Sequence, residues 1–353
     1  MGEDDEEILD ENETLDFSLF EAALKLRGKL SADGGERLFH GFTEGDPFWV
    51  VEKYGDTLVL LYFGNDTNPP AARLFEFYQT LFAKTKTPLR NVVLKHRNAK
   101  DVMRQNGSCW GESKVPTTSI LEDGVHYALA LTEHRDSGFY FDTRNLRAWL
   151  KKNSAGKKVL NTFAYTGSLG VAALAGKAGR VVQTDRTNSF LEIAKQSTLL
   201  NGFNVSKKDF VANDFSRLVA AFRKDEELFD TVIVDAPFFS TSRDTQINLQ
   251  TTFLNTLNKA RPLVAHGGAL VAVNNALYLS GEDFEEKVLA PIVASGYATI
   301  ETRIDVPASC GGESREKSGT KKGSSWPVDP APYNHPTKMA VLRFTRKDKR
   351  TAS

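Results

Sequence analysis

The chain has little cysteine, no long apolar run and no net charge, and each shortage excludes something. Two cysteines, Cys109 and Cys310, stand 201 positions apart in 353 residues. They build neither a disulfide framework nor a cysteine-rich zinc site, so a reduced, intracellular and cytoplasmic protein is the expectation. No apolar run approaches ~18 residues, which excludes a transmembrane helix and predicts no membrane partner. The opening MGEDDEEILDENETLD has no basic n-region and no apolar h-region, unlike a secretory signal or an ordinary transit peptide. The six histidines (His40, His96, His126, His134, His266 and His335) never fall at metal-ligand spacing, and no metal is predicted. No internal repeat is visible.

What is present is ordinary globular material, 41% hydrophobic and 25% charged. At ~150 residues per domain the length predicts two folded domains and a tail. Lysine plus arginine and aspartate plus glutamate both number 45. Residues 1–16 hold nine of the acids and no base, so the other 337 residues carry 45 bases against 36 acids. The C-terminus, RFTRKDKRTAS, is basic. An acidic head on a basic body permits nucleic-acid binding, and equally describes a solvated tail on an ordinary enzyme.

Residues 1–16 are expected to be a disordered acidic tail. Residues 17–135 read as a small α+β domain. Phe17 to Leu30 suits an amphipathic helix, FWVVEK (48–53) and TLVLLYF (57–63) a hairpin about Tyr54-Gly55-Asp56, and ARLFEFYQTLFAK (72–84) a helix. NVVLKHR (91–97) and HYALALT (126–132) are further strands of that domain. A linker helix is expected over 136–153. From 154 to 346 strands and helices alternate. Strands are KKVLNTFA (157–164), RVVQTD (180–185), DFVAND (209–214), FDTVIVDAP (229–237), GALVAVNN (268–275), YATIETRIDV (297–306) and MAVLRFTR (339–346). Helices are 168–178, 189–201, 216–224, 247–264 and 283–296. Strict alternation predicts an α/β fold, a parallel sheet with helices on both faces. The last two strands have no helix between them, so the final strand is expected antiparallel, at or near the edge. A basic, proline-rich loop (308–338) interrupts the end, and its Lys317, Lys321, Lys322 and Trp326 suit a polyanion. Residues 347–353 form a basic tail.

In an open parallel sheet the ligand lies beyond the carboxyl ends of the strands. There the chain places Asn161 to Ser168, then Asp185, then Asp235-Ala236-Pro237-Phe238. Gly167 permits a tight turn against a ligand. An acid after the second strand is placed for ribose hydroxyls, so the pair suggests an adenosine-containing ligand. There is no Gly-x-Gly-x-x-Gly, and bulky Tyr165 and Thr166 argue against a dinucleotide. Each element also has a plainer role: Gly167 in a βα turn, Asp185 as a helix cap, Asp235 to Pro237 as a strand stop.

FAYTGS (163–168), Asp185 and DAPFFSTS (235–242) together resemble class I S-adenosylmethionine-dependent methyltransferases. The likeness is to the large-subunit ribosomal RNA methyltransferases that modify cytosine C5 or guanine N7. Glu44-Gly45-Asp46 with VVEKYGDTLVL (50–60), SGFYFDTRNLR (137–147) and VNNALYL (273–279) are similar to further stretches of that family, and the likeness covers about 40–346. It implies a Rossmann-like sheet of seven strands, the last antiparallel, preceded by the small α+β domain, and S-adenosyl-L-methionine as cofactor.

By the same resemblance Phe163, Ala164, Tyr165, Thr166 and Gly167 hold the methionine part. Asp185 binds the ribose, with Arg186 beside it among the cofactor contacts. Asn213 and Asp214 flank the adenine. Asp235 and Pro237 face the methyl group, and Asn274 helps position the acceptor. Tyr140, Asp142 and Arg144 close the pocket, although Arg144 also suits a pair with Asp142 or a helix end. Such proteins often carry an N-terminal PUA domain. The stretch before Glu44 is too short for one, so RNA binding is expected to fall to 44–135 and the basic loop.

Two departures bear on the chemistry. The motif after the fourth strand is Asp-Ala-Pro where Asp-Pro-Pro is usual, and Asn274-Asn275 stand where the cytosine branch has a cysteine. Methylating C5 needs a thiolate that adds to C6, and neither cysteine follows the fourth or fifth strand. A ring nitrogen brings its own lone pair and needs only alignment. The expectation is methyl transfer to a base nitrogen of RNA, ribosomal RNA first. The competing readings are a methyltransferase for a small molecule or protein, and a non-catalytic assembly factor that keeps the fold.

Overall fold

The computed structural model describes residues 15–28, 30–237, 246–276, 279–310 and 337–352, with Phe42 and 246–250 described by backbone alone. The expected acidic tail and nearly all of the 308–338 loop lie outside the described residues. The chain divides into two compact units, residues 1–120 with 130–137 and residues 121–129 with 138–353.

The first unit is built on a five-stranded sheet in the order β1-β2-β3-β4-β5. Its strands are β1 (Gly35–His40), β2 (Trp49–Tyr54), β3 (Thr57–Tyr62), β4 (Asn91–His96) and β5 (Ser108–Gly111). Helices α1 (Phe17–Leu26), α2 (Ala71–Phe82) and α3 (Val102–Asn106) complete it. Tyr54 pairs with Thr57 across a two-residue turn in which Gly55 takes φ +54°, as a tight hairpin demands. The crossover through α2 makes β3 and β4 parallel. Phe20, Leu38, Val51, Leu60, Leu74, Tyr78 and Val92 form its core. The sequence reading missed β1 and the short edge strand β5.

The segment 126–132, expected as a strand of this unit, behaves otherwise. Only Val125–Ala128 is strand (β7), paired with β6 (Ser119–Glu122), and residues 121–129 group with the second unit. There Ala128 N donates to Ser197 Oγ and His126 N to Asn201 Oδ1. A run of alternating apolar residues shows that a strand forms, not which body it joins.

The second unit holds β8 (Lys158–Thr162), β9 (Arg180–Asp185), β10 (Phe210–Ala212), β11 (Phe229–Asp235), β12 (Val264–Asn274), β13 (Ala298–Ile304) and β14 (Lys338–Phe344). The sheet order is β10-β9-β8-β11-β12-β14-β13. Strands β8 to β12 run parallel, and β14 is antiparallel to both β12 and β13. The final strand therefore enters one position in from the edge. Helices α4 (Arg144–Asn153), α5 (Ser168–Ala175), α6 (Asn188–Leu200), α7 (Phe215–Lys224) and α8 (Gln246–Ala260), with a broken helix over 281–293, complete the unit. The central strands β8, β11, β12 and β14 are buried on both faces, the edge strands β10 and β13 are not, and Leu160, Val182, Val232, Phe253, Leu270, Phe284 and Leu342 share one core.

Helix α5 stops at Ala175, short of the expected 178. Lys177 takes φ +63°, outside the helical region, and Gly176 permits the close approach of the Lys151 carbonyl oxygen, which a Cβ there would meet at 2.3 Å. The order in which successive strands are added reverses between β8 and β11, and because β8 to β12 run parallel, Thr162, Asp185, Asp235 and Asn274 come to one edge of the sheet. No helix among the described residues is long and apolar enough to cross a membrane.

Candidate active site at the carboxyl edge of the second sheet

The turn after β8 is held in an unusual backbone conformation. Phe163, Tyr165 and Gly167 take φ values of +52°, +51° and +79°. For the two aromatic residues this region costs about 1–2 kcal/mol each, and the surroundings fix it. Ala164 N donates to Thr184 O at 2.8 Å, and Thr166 Oγ1 donates to Gly138 O at 2.5 Å. Tyr165 N donates to Asp185 Oδ2 at 2.9 Å. Gly167 is required twice over: its φ is positive, and a Cβ there would lie 2.4 Å from Ala194 Cβ and 2.6 Å from Gln183 Oε1. The same Gln183, buried in β9, leaves no room for a Cβ at Gly170. The sequence reading gave Gln183 no role, although a lone amide within RVVQTD is its signal.

Asp185 ends β9 with Oδ2 on the Tyr165 amide and Oδ1 on the Thr187 amide, 2.8 Å away. Each oxygen keeps a lone pair for a ligand hydroxyl. It does not cap α6, whose cap position is Thr187, and Arg186 beside it is exposed. Asn213 N donates to Asp185 O at 2.9 Å, which ties the β10 edge to the same loop. Asp214 does cap a helix: its Oδ1 accepts from Ser216 N and Arg217 N at the start of α7. Both Asn213 and Asp214 are exposed. Rings pack around the turn, Tyr165 edge-on to Phe190 at 4.5 Å, and in tilted pairs Tyr140 with Tyr165 at 5.5 Å and Phe163 with Phe215 at 4.9 Å.

Asp235 ends β11, with Ala236 buried and Pro237 exposed beyond it. A part of Asp235 still meets solvent, but its carboxyl is crowded. Burial first, and the nearby Asp142 charge second, push it up to about 7. Asp142 accepts from Thr337 Oγ1 at 2.6 Å on one oxygen. Its other oxygen, Oδ1, is buried and has no hydrogen-bond partner among the described residues. Asn274 ends β12 with Oδ1 on Ala276 N, while its buried Nδ2 also has no such partner. One open acceptor and one open donor, both buried and both in the expected site, suit a polar, zwitterionic ligand.

Segment 138–147 is fixed from behind by a buried ion pair that the sequence reading missed. Arg147 donates to Glu122 through Nε at 2.6 Å and Nη2 at 2.9 Å. Its Nη1 holds the Tyr140 carbonyl and the Thr143 hydroxyl, both at 2.8 Å. Burial disfavours its charge, yet the Glu122 carboxylate outweighs that and holds the guanidinium above its ordinary value. Arg144, expected at the pocket mouth, has Nε 3.6 Å from the same Glu122. The available signal was two arginines three apart on one helix face. Among the described residues no three His, Cys, Asp or Glu side chains gather to hold a metal.

A family model described as S-adenosylmethionine-dependent methyltransferase matches residues 37–300, and the chain belongs to this family. The chain is an α/β enzyme of that class, with S-adenosyl-L-methionine as its cofactor. It is 30% identical over 271 residues to ribosomal RNA large subunit methyltransferase I of Aeromonas hydrophila, covering 74% of this chain and 68% of that one. With the protein of that name from Escherichia coli O127:H6 it shares 26% over 294 residues, 81% of this chain and 74% of the other. A solved S-adenosylmethionine-dependent methyltransferase structure, described as putative and from Streptococcus mutans, shares the fold at TM-score 0.70. It is 18% identical and covers 92% of this chain and 80% of that one.

Proposed function

We propose that the protein transfers the methyl group of S-adenosylmethionine to a base nitrogen of RNA, ribosomal RNA in the first instance. The observation that carries the reading is the edge itself. Asp185, Asp214, Asp235 and Asn274 end successive strands or begin the next helix, and open polar atoms face inward at Asp142 and Asn274. In this reading Phe163 to Gly167 and the open atoms hold the methionine part. Asp185 takes the ribose with Arg186 alongside, and Asn213 and Asp214 take the adenine. Tyr140 and Tyr165 offer ring faces to the sulfonium cation. Asp235, Pro237 and Asn274 align the acceptor, and Arg144 closes the mouth. The cofactor brings the electrophilic methyl group; the chain orients it and excludes water.

RNA as acceptor is supported by the names of the bacterial relatives, which also support a cytoplasmic location. The first unit adds a surface suited to RNA. Phe63 and Met103 are exposed there and offer a ring face and an apolar face for bases. A nitrogen acceptor is supported by the chain positions of the two thiols, neither of which directly follows β11 or β12. Cys109 is on β5 of the first unit, and Cys310 is buried in the turn after β13.

The test is calorimetric titration with S-adenosylmethionine beside Asp185→Ala, followed by methyl transfer to unmodified large-subunit ribosomal RNA and mass analysis of the nucleoside. Micromolar cofactor binding lost in the variant, and a methyl on nitrogen kept by Cys310→Ala, support the reading. No transfer to RNA with intact cofactor binding sinks the RNA assignment. A C5 product abolished by Cys310→Ala sinks the nitrogen assignment.

A further inference from the structure

The amino-terminal edge of the second sheet carries a groove that the methyl-transfer site does not use. It is lined by Asn258 and Arg261 near the end of α8, Val264 at the start of β12, Tyr297 before β13, and Phe344 to Asp348 after β14. The groove holds about 470 Å³ and is open to solvent. Val264 and Asn274 bound β12 at opposite ends, so the groove lies about 30 Å from the carboxyl edge at ~3.3 Å per residue.

Its cations are arranged rather than scattered. The Arg261 guanidinium lies 5.7 Å from the Tyr297 ring centre and 5.5 Å from that of Phe344. The Lys347 ammonium lies 5.3 Å from the same Tyr297 ring. Neither cation has an acidic partner among the described residues. Arg346 is braced on the Pro262 and Val264 carbonyls at 2.8 and 3.0 Å, and shares Asp348 with Arg350. Arg350 also lies 3.4 Å from Glu226. Lys349 is exposed beside them. Five cations thus face two acids, around the partly exposed Pro262 and Tyr297, with Val264 and Phe344 buried beneath. The ring contacts restrain the arginine and lysine beforehand, so less side-chain freedom is lost when an anion arrives. The tail that supplies three of the cations is pinned by His266, which donates through N to Arg350 O and accepts at Nδ1 from Arg346 N.

We propose that this rear groove binds the phosphodiester backbone of the RNA substrate, with Arg261 and Lys347 as the phosphate contacts. The inference rests on the RNA reading above, and gives the protein a second hold on its substrate, remote from methyl transfer. Sugar faces lie on Pro262 and Tyr297, phosphates on the two cations that lack an acidic partner. Bound there, RNA is retained by charge rather than by base identity.

The test uses the whole protein and a fluorescein-labelled, mixed-sequence, single-stranded RNA of about 30 nucleotides, read by anisotropy over a salt series. Each lost phosphate contact lowers the slope of log K against log salt by about 0.7. Arg261→Gln/Lys347→Gln should therefore lose about 1.4 from the slope, with cofactor binding unchanged. The charge-keeping pair Arg261→Lys/Lys347→Arg should restore most of it. Lys195→Gln/Lys287→Gln removes two cations already paired with Glu192 and Asp283, and should change the slope far less. In a 4-thiouridine RNA, cross-links should map to the peptides holding Tyr297 and residues 341–350. Wild-type binding with an unchanged slope in the double variant, or equal loss in the paired-lysine control, overturns the groove and leaves the RNA reading standing. No salt-dependent binding by the wild type overturns both.

Discussion

Replacing Asp235 by asparagine should make the protein more stable, and the gain should grow with pH. Asp235 is pushed from an ordinary 3.8 to about 7, by burial and then by the Asp142 charge. A carboxyl with a raised folded value is comfortable only when neutral. The stability tied to it is whole below about pH 4 and is lost as pH rises through about 7. At 1.36 kcal/mol per unit the ceiling is about 4 kcal/mol above ~pH 8. Residual exposure of the residue reduces this, so about 2–4 kcal/mol is the expected gain. Between ~pH 5.5 and ~pH 8.5 the wild type should lose about 2 kcal/mol that the variant keeps. Urea unfolding of cofactor-free protein at a series of pH values reads the difference directly. S-adenosylmethionine should flatten the wild-type curve, since its sulfonium favours the charged carboxylate, and Asp142→Asn should move the inflection down. A stability difference between wild type and variant that stays constant across this range would refute the reasoning, because a solvated carboxylate costs nothing to ionise. Methyl transfer should fall in the variant despite its greater stability, as expected where an active site stores unfavourable electrostatics.

Three further outcomes follow from the site geometry. Gly167→Ala adds a methyl group 2.4 Å from Ala194 Cβ at φ +79°. It should cost about 2–4 kcal/mol and weaken cofactor binding in calorimetry, since the turn must move away from Asp185. Glu122→Ala leaves the buried Arg147 guanidinium without its carboxylate, and should cost about 3–5 kcal/mol in chemical unfolding; full stability would show that Arg147 finds another acceptor. Asp214→Ala should lose about 1 kcal/mol of helix capping, whereas Asp214→Asn keeps the cap and should lose cofactor affinity alone. Equal cofactor binding by wild type and Asp214→Asn would leave Asp214 a purely structural residue.

Residue patterns alone disclosed a good deal. The alternation of short apolar runs with amphipathic stretches from residue 157 onward specified a parallel α/β sheet, because such strands are buried on both faces and say so in composition. Chain order then placed Asp185, Asp235 and Asn274 at strand ends, and strand ends are where such a sheet binds ligands. FAYTGS signalled a tight turn, although not that Phe163 and Tyr165 would share the left-handed conformation with Gly167.

Tertiary structure decided what depends on pairing between distant residues. Whether β14 lies at the edge or one place in is settled by its ladders to β12 and β13, and periodicity is the same in both positions. The Val125–Ala128 strand joins the second unit because Ser197 of α6 and Asn201 just after it receive its amides. Glu122 and Arg147 are 25 positions apart and become partners only through folding. The raised Asp235 carboxyl needs both the crowding of the folded edge and the approach of Asp142. The cations at the rear of the sheet read in sequence as a basic tail. Their stacking on Tyr297 and Phe344, with Arg261 brought in from the end of α8, exists only once the sheet has formed.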